Sequence, residues 1–232
     1  MTDKLLFPAK PPVLTEIANS ETLFPVHRIF CVGRNYHAHA AEMGVSVDKA
    51  KNVPFYFTKH PSAIVPSGST VEYPPQTSNY HYEMELVVAI GKTGFEIPES
   101  DAEDYIFGYA CGLDMTRRDL QLKARETNRP WDLGKDFEES AIISPIVPKT
   151  ECGVIDTGNI QLSVNGEIHQ NSELTKLIWN VNEVIAHLSK FYHLQPGDLI
   201  YTGTPEGVGP VVSGDKIDGS IEKLGDISLK IK

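Results

Sequence analysis

The sequence predicts a β-rich α+β protein, a mixed roll or sandwich of short strands with a few helices packed outside. Three observations carry this. Short apolar runs of strand character recur along the whole chain, whereas helical periodicity is confined to a few segments. Asn165-Gly166, flanked by residues 160–164 and 167–169, is a strong hairpin signal. The strand–helix alternation of a nucleotide-binding sheet is missing.

Taken in order, residues 1–27 are punctuated by proline and read as a short N-terminal arm. Residues 28–32 form an apolar strand ending at Gly33, and the helix-prone stretch after it stops at Gly44. Residues 45–54 are polar with few apolar anchors; 55–59 is a strand, followed by turns through Pro61, Pro66 and Gly68. Strands are expected at 83–90 and 106–114, and a charged helix over 116–129. The spacing of Leu174, Leu177, Ile178, Val181, Val184, Ile185 and Leu188 predicts one helix over 174–191. Residues 199–201 form a strand that runs into the glycine-rich 202–209, and two more short strands follow. No repeat or linker divides 28–232, which reads as a single domain.

Bulk properties exclude several function classes. The 232 residues suffice for a sizeable core. A net charge of −10 argues against a nucleic-acid-binding face. No apolar stretch approaches a membrane span, and the N-terminus has no signal-peptide core, so the expected location is the cytoplasm. Cys31, Cys111 and Cys152 are too few and scattered for a disulfide framework.

The chemistry points to three acids. Glu83 and Glu85 are two apart in a strand and project to one face. Asp114 closes a second apolar run. Acids in such surroundings need neutralising, and a hard divalent cation on oxygen ligands, Mg²⁺ or Mn²⁺, would do it. On an exposed edge strand the same acids would simply face water. Lys135 is a candidate to offset the remaining charge. His39 and Glu42 are three apart on a helical turn and could share a water as general base; on a solvated helix they would have no role. Segment 202–209 could offer backbone N–H groups to an anion but lacks the ending of a phosphate loop. No Gly-x-Ser-x-Gly elbow is present, which argues against a serine hydrolase.

Together these residues resemble the fumarylacetoacetate hydrolase family. The matching stretches are Gly33-Arg34-Asn35-Tyr36 with His39 and Glu42, then Glu83-Met84-Glu85-Leu86, then Leu113-Asp114-Met115-Thr116 with Arg118-Asp119 and Gln121. Pro130-Trp131 with Gly134-Lys135, Val164-Asn165-Gly166, and Gly197-Asp198 with 202–209 complete the set, in family order. The resemblance implies a mixed β-sandwich roll of that family's C-terminal-domain type. It implies Mg²⁺ or Mn²⁺ on Glu83, Glu85 and Asp114, and a homodimer. Lys135 matches the family's active-site lysine, and His39 with Glu42 its catalytic dyad, carried on a short lid over the substrate. Within the family the chain is most similar to small acylpyruvate hydrolases. The expected reaction is therefore hydrolysis of the C–C bond of a 2,4-diketo acid, fumarylpyruvate to fumarate and pyruvate. Oxaloacetate decarboxylation, keto-acid tautomerisation and a catalytically silent metal-binding protein are the alternatives. Arg34, Arg118, Gln121 and Thr204 are candidates for holding substrate, with Arg117 less favoured because neighbouring helical residues diverge. His60 and Tyr82 depart from the common family pattern near the expected site.

Overall fold

The computed structural model describes residues 4–232 and is built on one mixed sheet with an apolar cluster on each face. The main path of this sheet runs Tyr56–Lys59, Arg28–Val32, Asp198–Tyr201, Met84–Ile90, Ile106–Asp114, Ala141–Ile143 and Ile64–Pro66. Two neighbouring pairs are parallel, Arg28–Val32 with Asp198–Tyr201 and Ala141–Ile143 with Ile64–Pro66. A second sheet holds Glu167–Glu173, Asn159–Val164, Lys216–Ile221, Gly225–Ile231 and Ser69–Val71. The expected β-rich roll with few helices is what forms.

Alternation along the central strands explains why both faces are dry. Leu86, Val88 and Ile90 point into the larger cluster, which takes Leu162, Ile217 and Leu229 from the second sheet. Val87 and Ala89 point the other way, into a smaller cluster closed by Phe24 and Val26. Those two residues lie in a hairpin, Val13–Glu16 with Leu23–Val26, so much of the N-terminal arm is docked on the sheet. Each fully buried aliphatic side chain contributes about 1.5–3 kcal/mol. Glu83 and Glu85 share the parity of Val87 and Ala89, so the same alternation sends both acids to the smaller cluster's face.

A three-stranded sheet, Thr116–Arg117, Tyr80–Tyr82 and Gly209–Val211, sits beside the end of the main sheet. Its pairing delays the expected helix, which runs Arg118–Glu126 rather than from 116. Glu83 lies at the corner between Tyr80–Tyr82 and Met84–Ile90. No helix among the described residues is long and apolar enough to cross a membrane.

The expected helix over 174–191 is corrected. Leu174–Lys176 is one 3₁₀ turn, and the helix proper is Val181–Leu188. Asn180 caps it, accepting from Glu183 N while the Glu183 side chain accepts from Asn180 N, a reciprocal capping box. Ahead of it the backbone is held by the buried Asn35. Its Nδ2 donates to Trp179 O at 2.9 Å and Thr202 O at 2.8 Å, and its Oδ1 accepts from Trp179 N at 2.7 Å. Apolar spacing could not reveal that a side chain 144 residues away competes for these backbone groups.

Asn35→Ala is expected to lower unfolding free energy by about 3 kcal/mol or more, since orphaned buried backbone groups cost about 1–3 kcal/mol each. Asn180→Ala, losing only a cap, should cost about 1 kcal/mol. Urea unfolding of both variants measures the difference; equal losses would refute the bracket role of Asn35.

Candidate active site

Strand register builds the acidic centre. Met84–Ile90 pairs antiparallel with Ile106–Asp114, and Asp114 N donates to Glu83 O at 2.9 Å, which sets these two residues opposite each other. Glu83, Glu85 and Asp114 are all buried, and each offers a carboxylate oxygen within 4.8 Å of the others. Gly203 N donates to Glu85 Oε2 at 2.7 Å. Gly203 has φ +100°, and a Cβ there would lie 2.7 Å from Asn35 Cβ, so this donor position requires glycine.

Two lysines serve the acids, and both are fully committed. Lys135 Nζ donates to Glu83 Oε2, Asp114 Oδ2 and Thr116 Oγ1, each at 2.7 Å. Lys59 Nζ donates to Met115 O, Ser140 Oγ and Lys135 O. It also lies 2.9 Å from Asp114 Oδ1, but an ammonium has three protons, so that oxygen gains charge proximity without a hydrogen bond. Burial pushes the Glu85 carboxyl well above the carboxylate range, and Asp114 and Glu83 push it further. Burial also opposes ionisation of Glu83, but Lys135 and Arg118 outweigh it and hold that group well below the usual range. The orphaned Asp114 oxygen, the under-neutralised Glu85 and the all-oxygen donor set fit a hard divalent cation.

The dyad residues come together over this centre. Helix His37–Glu42 buries Ala40 and His39 and leaves His37 exposed. His39 Nδ1 stands 3.6 Å from Glu42 Oε2, longer than a hydrogen bond. Glu42 instead accepts from Gly207 N at 2.9 and 3.2 Å. Burial draws the His39 imidazole below its ordinary value, with Glu83 opposing, so the ring is neutral at pH 7. The glycine-rich loop does present N–H groups to acidic side chains, the protein's own Glu85 and Glu42.

Of the candidate residues, Arg34, His39, Glu83, Glu85, Arg118, Gln121, Lys135 and Thr204 line one cavity, whose empty space is about 450 Å³ counted to its open mouth. Asp114 lies beneath it, fully buried. Arg118 is turned inward and donates to Glu83 Oε1 and Gln121 Oε1. Thr204 Oγ1 accepts from Gln170 Nε2 at 2.9 Å. Arg117 leaves the cavity, stacking 4.2 Å over Phe137 and donating to Leu133 O. His60 points away too, with its N–H on Asp136 and its ring on Ser62. Tyr82 stays close: its hydroxyl donates to Gly207 O, on the residue that holds Glu42.

Sequence reasoning missed Lys59, Arg125, Trp131 and Gln170. Lys59 had a signal, a lone lysine closing the run Tyr56-Phe57-Thr58. Gln170 had none; its Oε1 accepts from Met84 N and its amide reaches Thr204, joining the acid-bearing strand to the loop.

Comparison with known proteins agrees with this architecture. The family model "Fumarylacetoacetate (FAA) hydrolase C-terminal" matches residues 28–232. A fumarylpyruvate hydrolase of Ralstonia sp is 62% identical over 189 residues, covering 82% of this chain and 98% of the relative. The crystal structure of fumarylpyruvate hydrolase from Pseudomonas aeruginosa with Mn²⁺ and pyruvate superposes with TM-score 0.94 at 50% identity, covering 98% of this chain and 99% of that one. The mitochondrial oxaloacetate tautomerase of Homo sapiens is 40% identical over 204 residues, 88% of this chain and 91% of the relative.

Lys59→Met removes one member of a buried ion cluster and is expected to cost about 3–5 kcal/mol. Denaturant unfolding of chelator-treated protein checks this. Unchanged stability would mean that Lys59 carries no part of the buried charge balance.

Proposed function

The chain belongs to the fumarylacetoacetate hydrolase family, and on that premise we propose that it hydrolyses fumarylpyruvate to fumarate and pyruvate. The observation that carries this is one cavity lined by Glu83, Glu85, Lys135 and His39, with Asp114 buried beneath it and Glu42 3.6 Å from His39. The 62% identity to a fumarylpyruvate hydrolase supports the acyl group.

Hydrolysis breaks the bond between the distal carbonyl carbon and the methylene of the pyruvyl half. Water adds its oxygen to that carbonyl carbon, and a proton ends on the methylene, which becomes the methyl of pyruvate. Neutral His39, steered by Glu42, takes the proton from water and is placed to return it to carbon. The electron pair left on the pyruvyl half delocalises onto its 2-oxo oxygen. When bound by Glu83, Glu85 and Asp114, Mg²⁺ or Mn²⁺ supplies a Lewis acid for that charge. Lys135 adds a fixed positive charge rather than a mobile donor, because its three protons are already held. Arg118, Gln121 and Thr204 are assigned to the substrate's pyruvyl oxygens, and Arg34 to the acyl side.

A second reading is tautomerisation or decarboxylation of oxaloacetate, favoured by the 40% identity to oxaloacetate tautomerase. Neither needs an attacking water. The match from residue 28 supports taking 28–232 as the catalytic domain and 1–27 as its arm. A homodimer, which the family resemblance implies, completes the reading, with the cytoplasm as its expected location.

Following loss of the diketo-enol absorbance over a panel of acylpyruvates tests the assignment. Fumarylpyruvate is expected to show the highest kcat/KM; faster turnover of oxaloacetate would transfer the assignment to the second reading. Asp114→Ala, or exhaustive chelation, should abolish turnover.

His39→Ala and Glu42→Gln should each reduce hydrolysis by roughly 10²-fold or more, the scale of a lost general base. Metal affinity, read by calorimetry, should stay near the unaltered value in both. Because burial lowers the folded His39 imidazole from its ordinary value, kcat/KM should fall as pH drops through that lowered value. The acid limb should be absent from the residual activity of His39→Ala; an unchanged limb there would remove His39 as the base.

A further inference from the structure

Two arginines face the cavity without a carboxylate. Arg34 and Arg125 both line it, half-buried, whereas Glu83, Glu85 and Lys135 at its floor are only 1–4% exposed. Among the described residues neither arginine takes part in an ion pair. Arg34 makes no hydrogen bond there; its guanidinium rests 5.2 Å from the Phe55 ring centroid and 5.8 Å from that of Trp131. Arg125 Nη1 donates to Met43 O at 3.0 Å, leaving its other donors without a protein partner.

The remaining charges do not need them. Glu83 and Asp114 are paired with Lys59, Lys135 and Arg118, and Glu85 accepts from the Gly203 N–H. Arg118 is engaged by Glu83 and Gln121, and Arg117 by Phe137 and Leu133. Two like charges, partly withdrawn from water, therefore converge on one space. Burial lowers the Arg34 guanidinium from its ordinary value, and the charge of Arg125 lowers it further. An anion between them relieves both.

Resting on the acylpyruvate hydrolase reading above, we infer that Arg34 and Arg125 form a clamp for a second carboxylate carried by the acyl group. The site then selects dicarboxylic acylpyruvates. The pyruvyl end occupies the floor, the scissile carbonyl lies beside His39, and the acyl chain runs toward the mouth between the two guanidinium groups. Arg125 is a specificity-determining residue in this arrangement. Through Met43 it also ties the bound carboxylate to the end of the His37–Glu42 helix.

The test assays Arg125→Met and Arg34→Met on fumarylpyruvate and on acetylpyruvate, which lacks the second carboxylate, with saturating Mg²⁺. In each variant the ratio of kcat/KM for fumarylpyruvate over acetylpyruvate should fall roughly 10- to 100-fold, the range of one charge-assisted pair. Arg125→Lys should recover part of that ratio. With the unaltered enzyme, fumarate should inhibit at least about tenfold more strongly than crotonate, which carries a methyl in place of one carboxylate. An unchanged ratio in both variants, or equal inhibition by the two acids, would overturn the clamp. Failure of the unaltered enzyme to hydrolyse either acylpyruvate would overturn the underlying reading, and direct binding of fumarate against crotonate, measured by calorimetry, reads the clamp even then.

Discussion

Everything at the centre of this molecule depends on holding three buried carboxylates beside three buried cations, which pair with Glu83 and Asp114 and leave Glu85 without an ion pair among the described residues. Glu83, Glu85 and Asp114 sit where a sheet with two dry faces would otherwise be filled by aliphatic side chains. An unpaired charge in such a place costs several kcal/mol. The sheet meets this cost by geometry. Antiparallel register sets Glu83 opposite Asp114, Lys135 bridges them, and Lys59 braces Asp114 from below while tying Met115, Ser140 and Lys135 together. The neighbouring strands serve to hold that arrangement still.

The fold class and the shared face of Glu83 and Glu85 were legible because both rest on local pattern, whereas Asp114 joins them through strand register. Period-two alternation puts Glu83 and Glu85 on one face whatever the rest of the chain does. Asn165-Gly166 closes its hairpin for equally local reasons. What escaped depends on partners far apart in sequence. The stretch 174–180 has the spacing of a helix, yet Asn35 captures the backbone of Trp179 and Asn180 restarts the helix behind it. Gln170 looks like an ordinary polar residue until strand order brings it to Met84 N and the Thr204 loop, and the lone Lys59 shows its partner only once Asp114 is placed beside it. Arg117 and Arg118 are adjacent in sequence, and only the start of the helix at Arg118 decides which one turns inward.

The two reactive halves of the site come from different kinds of structure. The acids are carried by strands or strand ends, whose positions are set by ladders of hydrogen bonds on both sides. The histidine–glutamate pair is carried by a helix of six residues with no side-chain cap. So short a helix has little stability of its own, and its place is set by what it touches: Ala40 in the core, Met43 under Arg125, and Glu42 on Gly207. The acid cluster is thus held by strand ladders, while the histidine–glutamate pair is positioned by a few local contacts.

The loop between Gly203 and Gly207 joins those halves. One end holds Glu85 and the other holds Glu42, each by a backbone N–H. Both ends require glycine for reasons of space: at Gly207, φ is +88° and a Cβ would lie 2.0 Å from His169 O. Such a loop is a spacer of fixed length. One residue added or removed between the two N–H groups would break the alignment of base and acids together, even though neither catalytic segment had changed. A change in chain length is therefore expected to be tolerated only outside this loop, where it leaves the spacing of the two N–H groups intact.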